Sequence, residues 1–466
     1  MSFHFKKLGL ALALTGSLAG CSAVVKTPYN SPSVQVPQQF QYDVQKNKNV
    51  NLSDQWWTLF NDAQLNQLVE QVLAKNSDLI VAGITLKQAR LQAGLAENQQ
   101  GIRSSSSVST GHNYDLRSGN GTDRGLSTSV GVSYELDLFG KLANQTEASR
   151  WEALASAQDL QATAQSLVAT TAKLYWQLGY LNERYNTIQQ NLASTQKIYE
   201  LVQSQYKAGA VSGLDLTQAE QSVQSQKASL SQIEQQRVET RTAIAVLLHM
   251  PVQQLSIQEP KQLPRNALPN IAVGLPADIL SRRPDLQASE LRLRKTLSNK
   301  DATKASYYPS INLTGNLGAS STSLTQLLKN PALTLGASLS LPFLQYNDMK
   351  KDIAISDLEY EKAITQYRQT LYQAFADVEN ALSNRTQLNQ QVQLQQRNVE
   401  LANKTERLTE VRYRNGAIAL KNLLDAQETT RNARLSLVET KQSQYNAYVT
   451  LMQALGGSPV KELPEQ

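Results

Sequence analysis

The segment Tyr206-Lys207-Ala208-Gly209-Ala210-Val211 returns as Tyr413-Arg414-Asn415-Gly416-Ala417-Ile418, an offset of 207 residues. The same offset carries Leu216 and Ala219 onto Leu423 and Ala426, and Asn76-Ser77-Asp78-Leu79 onto Arg283-Pro284-Asp285-Leu286. A chain of this kind is one supersecondary unit used twice, which excludes most globular topologies at once. The halves span 62–255 and 277–456, parted by a Pro-rich connector at 256–276 and followed by a tail at 457–466. Each half reads in the same order: a helix (62–100; 277–305), two strands (about 104–138; 309–343), then a very long helix that turns and returns (about 143–250; 348–455).

The long helices carry heptads. Ala157, Leu160, Ala164, Leu167, Thr171, Leu174, Leu178, Leu181, Tyr185, Ile188, Leu192, Thr195, Tyr199, Val202 and Tyr206 alternate steps of three and four, the signature of a coiled-coil seam. The second copy, from Ile364 to Tyr413, is weaker because Arg385, Gln395 and Glu406 interrupt it. At about 1.5 Å per residue each helix is roughly 100 Å long, which predicts a rod or tube. The Gln, Asn and Ser residues opposite the seam suit a wetted wall.

The strands alternate with period two. Leu126, Thr128, Val130, Val132, Tyr134, Leu136 and Leu138 are separated by Ser127, Ser129, Gly131, Ser133, Glu135 and Asp137. Ile311, Leu313 and Leu317 behave alike, as do Leu333, Leu335, Ala337, Leu339 and Leu341, while Val108, Thr110, His112, Tyr114 and Leu116 form a weaker case. One such strand reads as half-buried in a soluble sheet. Four of them, each about ten residues long, fit transmembrane strands between lipid and water. Four strands cannot close a membrane barrel, because an open edge in lipid leaves backbone groups unpaired, so the chain must oligomerise.

The N-terminus supplies the compartment. Lys6 and Lys7 precede an apolar run from Leu8 to Leu18, then small residues, which reads as a signal peptide over 1–20. That run is about half a bilayer thick, too short for a membrane helix. Leu18-Ala19-Gly20-Cys21 resembles a bacterial lipobox, making Cys21 the lipid anchor, and Ser22 in place of Asp favours the outer membrane. Residues 21–61, with Pro28, Pro32 and Pro37, read as an extended N-terminal tether.

Composition closes other classes. The formal charge of +6, two units of which leave with Lys6 and Lys7, gives no nucleic-acid footprint over 466 residues. The mature chain keeps only His112, His249 and one cysteine, so neither a Cys/His zinc site nor an internal disulfide can be assembled. Neither histidine has a partner motif for catalysis, so the sequence names no catalytic residue, metal or cofactor. A lipid-anchored coiled-coil scaffold would explain the heptads but not the strands.

The lipobox, the doubled order of elements, Tyr134-Glu135-Leu136-Asp137-Leu138-Phe139-Gly140, and the Tyr-x-x-Gly turns followed by Leu214-Asp215-Leu216 and Leu423-Leu424-Asp425-Ala426 together resemble the TolC/OprM-type outer membrane factors, lipoprotein branch. The resemblance implies a mixed α/β membrane protein: a homotrimer with a 12-stranded β-barrel, a periplasmic helical coiled-coil barrel and an equatorial belt. It implies an efflux duct working with a periplasmic adaptor (membrane fusion protein) and an inner-membrane pump of the RND type, and no nucleic acid. A duct for polypeptide secretion is the alternative. Gly209 and Gly416 supply the positive φ that the turns need, and by resemblance they also meet the adaptor. Asp215 and Asp425, copied threefold, would form carboxylate rings at a periplasmic gate, or else cap the returning helices. By resemblance Tyr413 and Asp425 hold that gate shut, with Asn422 and Lys421 as departures from the family pattern.

Overall fold

The computed structural model describes residues 25–42, 53–114, 121–265, 267–269, 271, 282–321, 324–329 and 331–460. The order is α1 (Ala63–Lys75), α2 (Ser77–Asn98), β1 (Arg103–Tyr114), β2 (Gly121–Leu136), α3 (Lys141–Lys207), α4 (Gly213–Leu247), α5 (Pro284–Ser306), β3 (Ser310–Ser321), β4 (Pro331–Ser340), α6 (Tyr346–Arg414) and α7 (Leu420–Ala454). Both ends of β3 and of α7 lie 207 residues beyond those of β1 and α4. The 207-residue offset in the sequence thus recurs in the bounds of these elements.

The single helix expected over 62–100 is two helices. Asn76 is extended and ends α1; its Oδ1 accepts from Asp78 N at 2.9 Å and Leu79 N at 3.3 Å, capping α2. Its Nδ2 donates to Leu247 O at 2.9 Å, tying the break to the end of α4. In the second half the helix expected from 277 is described from Pro284, a residue suited to a first helical position. Residues 272–281 lie outside the described residues.

The strands form one antiparallel sheet in the order β1-β2-β3-β4. Val130 pairs with Leu317, which pairs with Leu333, and Tyr134 pairs with Leu313, which pairs with Ala337. Directly paired residues share a face, so at the described positions the apolar phases of the strands fall on one side of the sheet, with Leu116 outside the described residues. That side is open: Val108 is 80% exposed and Leu335 77%. On the other side, Ser107 meets Ser129 at 2.8 Å and Ser109 meets Ser127 at 2.7 Å, among Gly131, Asn312, Thr314, Asn316, Thr334 and Ser338. Among the described helices, none is long and apolar enough to cross a membrane.

Helix α3 runs 67 residues and α6 runs 69, and both seams are withdrawn from solvent except at Tyr206. The chain divides into two compact units, neither of which is one half of the repeat. One comprises residues 1–34, 84–158 and 287–370, the other 35–83, 159–286 and 371–466.

In the first unit, the N-terminal stretch read as a tether is extended but stitched down. Thr27 donates through N and Oγ1 to the buried Asp301, both at 2.7 Å, and Tyr29 lies under the Arg294 guanidinium at 4.3 Å. In the second unit, Trp56, Phe60, Trp176, Tyr445 and Tyr448 form an aromatic core with Phe60–Trp176 centroids 4.7 Å apart. There the connector crosses α3 directly over Gly179, where a Cβ would come 3.1 Å from Gln262 O. Glu259 takes both Arg241 Nε at 2.6 Å and its Nη2 at 3.0 Å, and Asn182 donates to Pro260 O at 2.9 Å. Those bonds fasten the connector to α3 and α4.

Candidate functional site

Each long helix of the second unit ends the same way. Gly209 N donates to Tyr206 O at 3.0 Å and Ala210 N to Gln205 O at 2.8 Å; Gly416 N and Ala417 N repeat the pattern, both at 2.9 Å. This paired closure requires a left-handed residue, and φ is +69° at Gly209 and +70° at Gly416. A Cβ on either would meet nothing within 4 Å, so both turns stand clear among the described residues.

The returning helices begin differently. Ser212 and Asp215 make a capping box: Asp215 N donates to Ser212 Oγ at 3.3 Å, and Asp215 Oδ2 accepts from Ser212 N at 3.0 Å and Ser212 Oγ at 2.6 Å. The Ser212 hydroxyl and N–H hold the Asp215 carboxyl below the usual carboxylate range. Their counterparts are Ala419 and Asn422, and α7 starts with no side-chain cap.

The two turns share one apolar cluster. Val202 from α3, Ala219 and Leu216 from α4, Tyr413 from α6, and Leu420 and Leu424 from α7 pack together. Tyr413 donates to Gln205 Oε1 at 3.3 Å. Burial raises its hydroxyl pKa, and the nearby Asp215 charge adds to the rise. Asp425 instead faces Lys421, whose Nζ lies 2.7 Å from its Oδ2. Tyr413 and Leu216, the neighbour of Asp215, thus meet in one cluster, while Asp425 is held by its own helix. Cys21 lies outside the described residues. His249 sits past the end of α4 at φ +54° with Nδ1 2.6 Å from Ser77 Oγ, a structural position. No group of acids, histidines and cysteines able to hold a metal occurs among the described residues.

Two features escaped sequence reasoning. One is the clasp of Glu259 on Arg241, whose partners belong to different elements and carry no shared motif. The other is a second ion pair on α7, Arg431 NH2 to Glu428 Oε1 at 3.1 Å. The 207-residue offset held the signal for it, since it sets neutral Gln221 against Glu428.

Residues 68–248 and 275–457 match the outer membrane efflux protein family, one match to each half of the repeat. The chain belongs to the outer membrane efflux protein family. A probable efflux pump outer membrane protein, TtgC of Pseudomonas putida, is 30% identical over 96% of this chain and 95% of its own. The open-state MtrE outer membrane channel of Neisseria gonorrhoeae superposes with a TM-score of 0.81 at 27% identity, covering 93% of this chain and 98% of that one. The CmeC outer membrane channel of Campylobacter jejuni shares the fold at a TM-score of 0.86 and 24% identity, over 93% and 95% of the two chains. As an outer membrane efflux protein, this chain resides in the outer membrane and extends into the periplasm.

Proposed function

We propose that three copies of this outer membrane efflux protein join their sheets into one 12-stranded barrel and their helices into a periplasmic tunnel. In this reading it is the exit duct of a tripartite pump, receiving small toxic molecules from an RND-type inner-membrane pump through a periplasmic adaptor. The observation that carries it is the sheet. One face is apolar and exposed, the other is Ser, Thr, Asn and Gly, and a four-stranded sheet has open edges at β1 and β4. In lipid those edges demand strands from other copies. Acylation at Cys21 anchors the chain to the same membrane, and Asp215, Tyr413 and Asp425 form the periplasmic gate around the two turns.

Conductance of the purified full-length protein in a planar bilayer tests the duct, and a scaffold would pass no current. Tyr413→Phe combined with Asp425→Ala should enlarge the resting conductance and lower cation preference; no change in either would return both residues to a structural role. Deleting the gene and scoring susceptibility to antibiotics, metals and bile salts identifies the passengers.

A further inference from the structure

Four charged side chains follow one another along the first three turns of α7: Lys421, Asp425, Glu428 and Arg431. All four line a single cavity of about 310 Å³ that is walled on its other side by α4, where Gln218 and Gln221 stand at the positions 207 residues before Asp425 and Glu428. One wall is therefore neutral amide and the other is charged. The order of charges on that wall is base, acid, acid, base. Asp425 and Glu428 are three residues apart on one helical face and would repel each other if alone. Each is instead taken up by the outer base, Lys421 Nζ at 2.7 Å and Arg431 Nη2 at 3.1 Å.

Charge of this kind cancels at short range. A carboxylate with an ammonium 2.7 Å away presents a dipole to an ion passing several ångströms off, and in about 0.1 M salt the remaining field fades within about 10 Å. Helix stability does not account for the arrangement, since exposed pairs of this sort contribute only a few tenths of a kcal/mol. We propose that Lys421 and Arg431 are specificity-determining residues of the channel entrance, cancelling the charges of Asp425 and Glu428 so that this part of the collar favours neither cations nor anions. The proposal rests on the duct reading above. Asp425, which alone would make a cation-attracting ring, is silenced by its own helix.

The test is the reversal potential of the full-length protein in planar bilayers under a potassium chloride gradient. Lys421→Gln should raise the potassium-to-chloride permeability ratio about threefold, and Lys421→Gln with Arg431→Gln more than either alone. Asp425→Asn should move the ratio the other way. Lys421→Arg keeps the pair and should leave the ratio at the wild-type value. An unchanged ratio in Lys421→Gln and Asp425→Asn, with current still flowing, overturns the proposal. A Lys421→Arg variant as selective as Lys421→Gln does so too, because the charge at 421 would then be irrelevant. A wild-type protein that carries no current overturns the duct reading itself, and this proposal with it.

Discussion

Asn76 and Arg283 stand 207 residues apart, and each donates to a carbonyl oxygen at the end of the returning helix of its own half, Leu247 O at 2.9 Å and Ala454 O at 3.4 Å. The same joint is made once with a neutral amide and once with a guanidinium that also binds Asp285 and Asp377. Asn76→Ala removes a helix cap and leaves a carbonyl wanting, so it should cost about 2 kcal/mol of stability, measured by denaturant unfolding in detergent. Asn76→Asp keeps the cap but not the donor, and should fall between Ala and wild type.

Acid should loosen the second joint. Burial pushes the Asp285 carboxyl up, but the Arg283 guanidinium and the Leu286 N–H outweigh it and hold the pKa below its ordinary value. A lowered native pKa means stability that is present above the unfolded value of about 3.9 and lost as pH falls through the native one. Wild type should therefore lose stability relative to Asp285→Asn when titrated from about pH 5 to about pH 3. A constant difference over that window would show that the pair contributes nothing.

The uncapped start of α7 is open to repair. Ala419→Ser with Asn422→Asp would copy the Ser212/Asp215 box and should stabilise the second turn by about 1 kcal/mol. Slower amide exchange over Leu420 to Leu423 is the readout, and Ser212→Ala should speed exchange at the start of α4.

At the turns themselves, Gly209→Asn should be tolerated, because asparagine takes the left-handed conformation and the space beyond is empty. Bulky substitutions at Gly209 or Gly416 should cut drug export while trimers still assemble. Normal export in both would show that the turns are not where the adaptor docks.

Cys21→Ala should block lipid attachment yet leave the fold in place, since the proposed barrel would span the membrane without help from acyl chains worth about 0.8 kcal/mol per methylene. Metabolic labelling with palmitate checks it. Label retained in the variant would refute the anchor.

Much of this molecule could be read before it was seen. The helix seams, the faces of the strands and the turns at Gly209 and Gly416 all follow from periodicity and a repeated motif, which are local properties. The break at Asn76 carries no local mark, because no residue between 63 and 98 forbids a helix there, yet Pro284 marks a helix start that the offset projects onto Ser77. The hold of Thr27 on Asp301 was out of reach, since their 274-residue separation leaves no trace in spacing. Among the residues proposed for the gate, the sequence could weigh capping against gating for Asp215, but only the bonds to Ser212 show the cap to be made.

In the proposed barrel, the hydroxyl-bearing face of the sheet has a kinetic meaning. From Ser105 to Ser109, Ser127 to Ser133, Asn312 to Ser320 and Thr334 to Ser338 its alternate residues are short and uncharged, and Glu135 beyond them is engaged by Lys141 at 2.6 Å. A molecule sliding over such a wall finds weak contacts of similar depth at every step, with no deep well in which to stall and no steep rise to climb. Transit would then be set by diffusion and by bore, so the surface would neither choose its cargo nor delay it.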